Sequence, residues 1–211
     1  YFIHNSRDDV VLHIEMINQL FRELAQTESA ESLTPIIDWK EDINRSLISV
    51  NVVTWDRAGL FHKLAGSLNV AGYSILSARA TPRDDDIAID TFYVSASDDK
   101  SRTVGDATMI FEECVKDALI AGSDLYPVLQ NIIRKSSQDL FAKSNNPLLE
   151  SFRPLVRAYV DEALDRTILE VQAPDTLGLL YSIAKRVFVI CFVIKLAVIN
   201  TEKDFALDSV Y

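Results

Sequence analysis

Two cysteines in 211 residues are too few for a disulfide framework. Cys114 and Cys191 both stand in apolar stretches, which suits buried, reduced thiols and a cytoplasmic protein. Histidine is equally scarce. His4, His13 and His62 show no H-x-x-x-H spacing, and neither cysteine has a Cys or His nearby, so no metal site is expected. Positive charge is in deficit, with 21 Lys and Arg against 31 Asp and Glu and a net charge of -10. That balance repels a phosphate backbone, and no basic stripe with interleaved aromatics appears, so nucleic acid is excluded as a partner. Long apolar runs are missing too. The longest, Val187 to Ile199, has 13 residues and contains Lys195, short of the ~20 that span a membrane, and it reads as buried core. There is no Gly-rich phosphate loop, no carboxylate pair placed by motif and no nucleophile elbow, so neither catalysis nor a cofactor is expected within these residues. No charged-then-apolar leader precedes a small-residue cleavage site. The chain opens on Tyr1 and stops at "FALDSVY" in mid-strand, so it reads as a piece of something longer.

What is present is an ordinary globular composition, 48% apolar and 25% charged, in a length that accommodates two small domains. Ser6 heads an amphipathic helix whose face carries Val10, Ile14, Ile17, Phe21 and Leu24, ending near Thr27. After the polar link "QTESAESL", "TPIIDW" reads as a short strand and "KEDINR" as a turn. "LISVNVVT" is a β-branched strand. Asp56 to Gly59 breaks it before a helix marked by Leu60, Phe61, Leu64 and Leu68 and closed by Gly72. "YSILSARATP" and "IAIDTFYVSA" are strands joined through Asp84, Asp85 and Asp86. Val104 to Ala121 is helical in pattern, and Leu125, Leu129, Ile132 and Ile133 mark a further helix before the polar loop around Asn145, Asn146 and Pro147.

The chain then repeats itself at an offset of 119 residues, so that "TWDRAGLFHKLAGSLNVAGYSI" is echoed by "APDTLGLLYSIAKRVFVICFVI". Pro35 matches Pro154, Asp56 matches Asp175, Gly59 matches Gly178, Leu60 matches Leu179, Ile75 matches Ile194 and Ala78 matches Ala197. One residue deleted at the acidic turn brings "IAIDTFY" onto "FALDSVY", pairing Asp90 with Asp208. Two copies of one module account for this. Residues 1–30 are the lead-in helix and linker, 31–122 the first module, 123–150 a helical and polar connector, and 151–211 the second module. Each reads strand, strand, helix, strand, strand, the skeleton of an α+β sandwich of ferredoxin-like type. The leading strand, Pro35 to Trp39 or Pro154 to Tyr159, is expected at the sheet edge beside the strand that follows it.

The stretch "TWDRAGLFHKLAGSLNVAGYSILSARATPRDDDIAIDTFYV" resembles an ACT domain, the small regulatory module that binds amino acids. Together with "YFIHNSRDDVVLHIEMI" and "RTILEVQAPDTLGLLYSIAK", it resembles the C-terminal third of the family of bifunctional uridylyltransferase/uridylyl-removing enzymes that act on the PII nitrogen-signalling protein. The resemblance implies a tandem ACT region that senses glutamine and controls upstream catalytic domains. It also implies PII protein and a second copy of the chain as further partners. That family has Pro where this chain has Ala58 and Leu177, and Cys191 replaces the helix-closing Gly of the second copy.

The candidate ligand-binding residues are Asp56, Arg57, Ala58, Gly59, Leu60 and Ile75, with Asp175, Thr176, Gly178 and Leu179 repeating the arrangement. A loop feeding a helix N-terminus offers unpaired N–H groups to an amino-acid carboxylate. The plainer alternative is that Asp56 caps the helix and Gly59 makes the turn. Asp90 and Asp208, inside apolar strands, either pair with a cation such as Arg79 or face solvent on an alternating strand. The three adjacent aspartates Asp84 to Asp86 make a solvated turn rather than a cation site. Two functions remain open, an amino-acid sensor and a structural brace that dimerises or recruits a partner.

Overall fold

A computed structural model describes residues 6–26, 34–42, 47–83, 85–96, 103–143, 152–163, 166–202 and 205–210. The polar link after residue 26, the turn at 43–46, Asp84 and the loop around Asn145 lie outside the described residues. Helix α1 (Arg7–Gln26) starts as the sequence predicts. The Ser6 hydroxyl accepts from the Asp9 N–H at 3.1 Å while the Asp9 carboxylate accepts from the Ser6 N–H at 3.2 Å, a reciprocal cap.

There follow β1 (Ile36–Asp42), β2 (Leu47–Trp55), α2 (Leu60–Val70), β3 (Tyr73–Pro82) and β4 (Ile87–Ala96). Helix α3 (Val104–Lys116) opens on a Thr103–Asp106 capping box and runs into one π turn, Asp117–Ala121. Helix α4 (Tyr126–Lys143) precedes the second series, β5 (Leu155–Asp161), β6 (Arg166–Pro174), α5 (Leu179–Val189), β7 (Leu196–Glu202) and β8 (Phe205–Val210).

The chain is thus α+β, with all eight strands in one antiparallel sheet of order β1-β2-β4-β3-β7-β8-β6-β5. The first repeat contributes β1-β2-β4-β3, and the second contributes the same order reversed. The expected edge strand is in place, Ile36 opposite Val53 and Trp39 opposite Val50. At the seam Ala78 pairs with Ala197, its own counterpart in the repeat. On either side Ser77 meets Val198, the counterpart of Arg79, and Arg79 meets Leu196, the counterpart of Ser77. A local two-fold axis therefore passes between the two alanines, the isologous pattern of a symmetric dimer made within one chain. Helices α2 and α5 meet over this seam. A side chain at Gly66 would collide with Leu129 of α4 and Tyr181 of α5 at 2.9 and 3.0 Å, so glycine is what allows the approach.

One apolar core runs across the seam, joining Leu64, Leu68 and Phe92 to Val171, Leu180 and Val210. Burying side chains of this size contributes roughly 1.5–3 kcal/mol each. A second cluster lies under α1, where Met16 and Leu20 pack on Ile36, Val53, Ile87 and Ile89. The polar groups trapped there are satisfied: His13 Nε2 lies 3.1 Å from Asn51 Oδ1, which also accepts from the Thr91 hydroxyl at 2.9 Å.

The repeats differ in cover. In the first, Trp39 is held between Tyr73 and the edge of the Phe111 ring, at centroid distances of 5.4 and 5.2 Å. In the second, no residue of β5 is buried. Two expectations are overturned nearby. Much of the run after Val187 is not core, since Val189, Ile190, Phe192 and Val193 are all exposed, Val193 at 68%. Cys191 is exposed as well, not a buried thiol. The physical reason is a chain reversal. Helix α5 ends at Val189 and Cys191 takes a left-handed φ of 62°, where the first repeat uses Gly72 at φ 90°. The apolar side chains around that reversal line a cavity instead of entering the core.

Candidate functional site

The loop between β2 and α2 is shaped by its backbone. Gly59 holds a left-handed φ of 75° and stands at the helix N-cap with no side-chain cap bond, so Asp56 does not cap α2. The Asp56 N–H donates to the Asp86 carbonyl at 2.7 Å, which ties the loop to the β3–β4 turn. Arg57 is anchored in part by the backbone: its Nη1 donates to the Leu119 carbonyl at 2.9 Å and its Nε to the Trp55 carbonyl at 3.4 Å, while its Nη2 is buried without a partner. Lys63 Nζ, from the first turn of α2, likewise donates to the Ala118 carbonyl at 3.2 Å, so the π turn supplies acceptors to a cation of the loop and to one of the helix.

Over this loop opens a cavity of about 810 Å³. Its first wall is Asp56, Arg57, Ala58, Gly59, Leu60 and His62, with Asp86 and Asp90 behind them. Its second wall comes from the other repeat and includes Phe188, Cys191, Phe192, Val193 and Ile194. The Ala58 N–H meets no acceptor among the described residues. His62 lies beneath Gly59, with its ring 5.1 Å from that of Phe188, and its Nδ1 is buried without a partner. Burial first, then the charges of Lys63 and Lys185, push its pKa down to about 4, so the ring is neutral at physiological pH.

The two-fold axis generates a second site from Asp175, Thr176, Leu177, Gly178 and Leu179 of the second repeat with Asn69, Ser74, Ile75 and Leu76 of the first. Gly178 repeats the left-handed conformation at φ 92°. Yet this cavity measures only about 70 Å³, because α4 lies on it. Ile133 sits where a Cβ on Gly178 would stand, 2.6 Å away, and the Ser136 hydroxyl accepts from the Leu177 N–H at 2.8 Å. Leu177 is the counterpart of Ala58. The N–H left open in one site is therefore satisfied by an oxygen of the chain itself in the other.

Each site ends on a buried carboxyl. Asp90 is 3% exposed and lines the large cavity; Asp208 is 1% exposed and lines the small one, with neither oxygen hydrogen-bonded. Neither faces solvent. Arg79 stands opposite Thr91 in the ladder while Ala80 stands opposite Asp90, and no ion pair joins Arg79 to Asp90. Burial, with the nearby Asp56 charge, raises the Asp90 pKa to about 8. Burial and Asp175 raise that of Asp208 to about 7. Of the acidic turn, Asp85 pairs with Arg83 at 2.6 Å and is exposed, as a solvated turn requires. No group of three or more His, Cys, Asp or Glu suited to a metal ion occurs among the described residues.

The proposed residues thus fall into two clusters. Asp56 to Leu60 gather at the large cavity, while Ile75 joins Asp175, Thr176, Gly178 and Leu179 at the small one. Reading each module alone missed His62, the 188–194 wall and the covering face of α4. The signal available was the repeat itself, since Ile194 is the counterpart of Ile75 and the seam crosses both walls.

Fold and site together define a class: a tandem α+β protein with paired cavities at the junction of its repeats, each beneath a glycine-turned helix N-terminus. In sequence the chain is similar to curated proteins named bifunctional uridylyltransferase/uridylyl-removing enzyme. Over 215 residues it is 27% identical to that of Novosphingobium aromaticivorans, covering all of this chain and 21% of the relative. It is 26% identical over 181 residues to that of Rhodospirillum rubrum, covering 85% and 18%. Against that of Gluconobacter oxydans it is 30% identical over 169 residues, covering 79% and 17%. The chain spans about a fifth of the length of these relatives. No family model and no solved structure matches it. No helix among the described residues is long and apolar enough to cross a membrane.

Proposed function

We propose that this chain is the regulatory tandem ACT region of a PII-protein uridylyltransferase/uridylyl-removing enzyme, and that it senses glutamine for catalytic domains elsewhere in a longer protein. One observation carries the reading. The 810 Å³ cavity is walled by both repeats, so a small ligand in it touches both and its affinity depends on how they are set against each other. Coupling of this kind is worth ~1–3 kcal/mol, enough to bias a distant active site. The open Ala58 N–H at a helix N-terminus suits an amino-acid carboxylate. The two-fold seam performs within one chain the side-by-side pairing that separate ACT copies make between chains, and the enzyme names of the relatives supply the context.

Thermal unfolding with each standard amino acid tests this directly. A ligand at 100 times its Kd stabilises the folded chain by about 2.7 kcal/mol, and glutamine is expected to give the largest shift. No shift with any amino acid would overturn the reading. The isolated chain is also expected to show neither uridylyl transfer from UTP to PII protein nor removal of the group. A second reading, a brace or docking module, is favoured by the exposed apolar residues of 188–193 and of β5. It would show no amino-acid shift at all.

A further inference from the structure

We infer that Asp90 is a specificity-determining residue: it receives the ammonium group of a zwitterionic ligand in the large cavity, with Asp56 beside it, while the ligand carboxylate takes the Ala58 N–H. This rests on the amino-acid reading above and says which end of the ligand goes where.

Three observations carry it. First, Asp90 is out of place by every structural criterion. It shares the helix-facing side of β4 with Ala88, Phe92 and Val94, all buried, and its ladder neighbours are Val52 and Ala80. A carboxyl there is costly unless something charged or hydrogen-bonding reaches it, and no described residue does. What reaches it is the cavity. Second, the cavity's charge is one-sided. Asp56, Asp86 and Asp90 line it against one cationic side chain, Arg57, whose Nη1 and Nε donate to the Leu119 and Trp55 carbonyls and whose Nη2 is buried without a partner. An anion alone would meet three carboxyls, whereas an ammonium group finds them as acceptors. Third, the closed site shows where an oxygen belongs. Ser136 places its hydroxyl oxygen on the Leu177 N–H, the counterpart of the Ala58 N–H, and leaves Asp208 beside it with no partner. A serine fills the oxygen position and cannot fill the ammonium position. The Asp208 oxygens stay unpaired because the hydroxyl has no cation to offer.

The protons follow. Burial and Asp56 hold Asp90 protonated through neutral pH in the empty cavity. When the ammonium arrives, the carboxyl ionises and its proton leaves to the buffer, so the bound pair is carboxylate and ammonium. The other titratable groups facing it are Asp56 and Asp86 from the loops, Arg57 and His62 from the α2 side, and Cys191 from the second repeat. His62 is already neutral above pH 5 and adds no proton change in this range.

Calorimetry of the whole chain with L-glutamine and with glutaramate, which lacks the amine, tests the inference. Titrations in two buffers of different ionisation enthalpy count the protons. The expected result is nearly one proton released per glutamine at pH 6.5 and an affinity that rises about tenfold per pH unit between 6 and 7, levelling above about 8. Asp90→Asn should bind glutamine at least tenfold more weakly at pH 8 with no proton release, and should bind glutaramate as the wild type does. The proton count needs no variant, so it stands even where Asp90→Asn misfolds. Glutamine binding without proton release, or with equal affinity for Asp90→Asn, overturns the role of Asp90 and leaves the sensor standing. No binding of glutamine by the wild type removes both.

Discussion

Gly59 and Gly178 hold nearly the same backbone shape, φ 75° and 92°, at the head of helices that begin at equivalent leucines. One faces a cavity of about 810 Å³ and the other a crevice of about 70 Å³. The loops are not what differs. The second site is closed by the connector helix, through Ile133 and Ser136, while the first is widened by the reversal after α5. Duplication gave the chain two equivalent loops, and the segments between and after them decide which stays open. Neither glycine is a neutral place to test this. A side chain at Gly59 strikes the His62 ring and one at Gly178 strikes Ile133, and both positions penalise any L residue at positive φ.

The largest expected effect compares the two buried carboxyls. Each has a folded pKa raised from an ordinary value of 3.8, to about 8 for Asp90 and about 7 for Asp208. A raised group contributes its stability below pH 4 and loses it as pH climbs through the folded value, so the wild type weakens from pH 4 toward 8. At about 1.4 kcal/mol per unit, gaps of roughly four and three units set ceilings of about 6 and 4 kcal/mol. Asp90→Asn should therefore stabilise the empty chain by several kcal/mol at pH 8 and by little at pH 4. Asp208→Asn should gain about 1 kcal/mol less and level off one pH unit earlier. Urea unfolding across that range decides it. Gains that do not change with pH would remove the raised pKa values as their cause.

How much of this was legible beforehand varies with the kind of force involved. Strand and helix positions were read from periodicity, and β3 and β4 fall at the ends the sequence marks because alternation and Pro–Asp turns act locally. The edge strand β1 was legible from its short separation from β2. The loop residues Asp56 to Leu60 were legible from the repeated Asp-x-x-Gly-Leu. What was hidden depends on contacts between the repeats. Nothing local in Ile75 says that it faces the other repeat's loop, and nothing in "VFVICFVI" says that its apolar side chains face a cavity and solvent. Asp90 looked ambiguous because alternation gives its face only once α2 and α3 are placed.

The connector offers a middle-sized effect. Changing Ile133 and Ser136 together to alanine removes the side chain beside Gly178 and the acceptor on the Leu177 N–H. Trimming a half-buried isoleucine and freeing one N–H should cost about 2 kcal/mol in all. The same change opens the second site. Calorimetry with L-glutamine is expected to move from one ligand per chain toward two. A stoichiometry that stays at one, with the fold intact, would mean that the second loop differs from the first in more than its cover.

The smallest expected effect tests the other half of the comparison, the reversal that widens the first site. Cys191 occupies the left-handed conformation that Gly72 occupies in the first repeat, at φ 62° against 90°. A non-glycine residue there carries a penalty of roughly 1–2 kcal/mol, while an added glycine costs the unfolded chain more entropy, so Cys191→Gly should stabilise by about 1 kcal/mol. The same residue reports on the cavity. Its thiol is exposed and lines the wall, whereas Cys114 is partly buried and its thiol is pushed up by burial and by Asp117 and Glu113. A maleimide should label Cys191 well before Cys114, and bound glutamine should slow the first without touching the second. Equal labelling with and without ligand would place the ligand away from this wall. It would leave the reversal as a backbone feature with no share in binding.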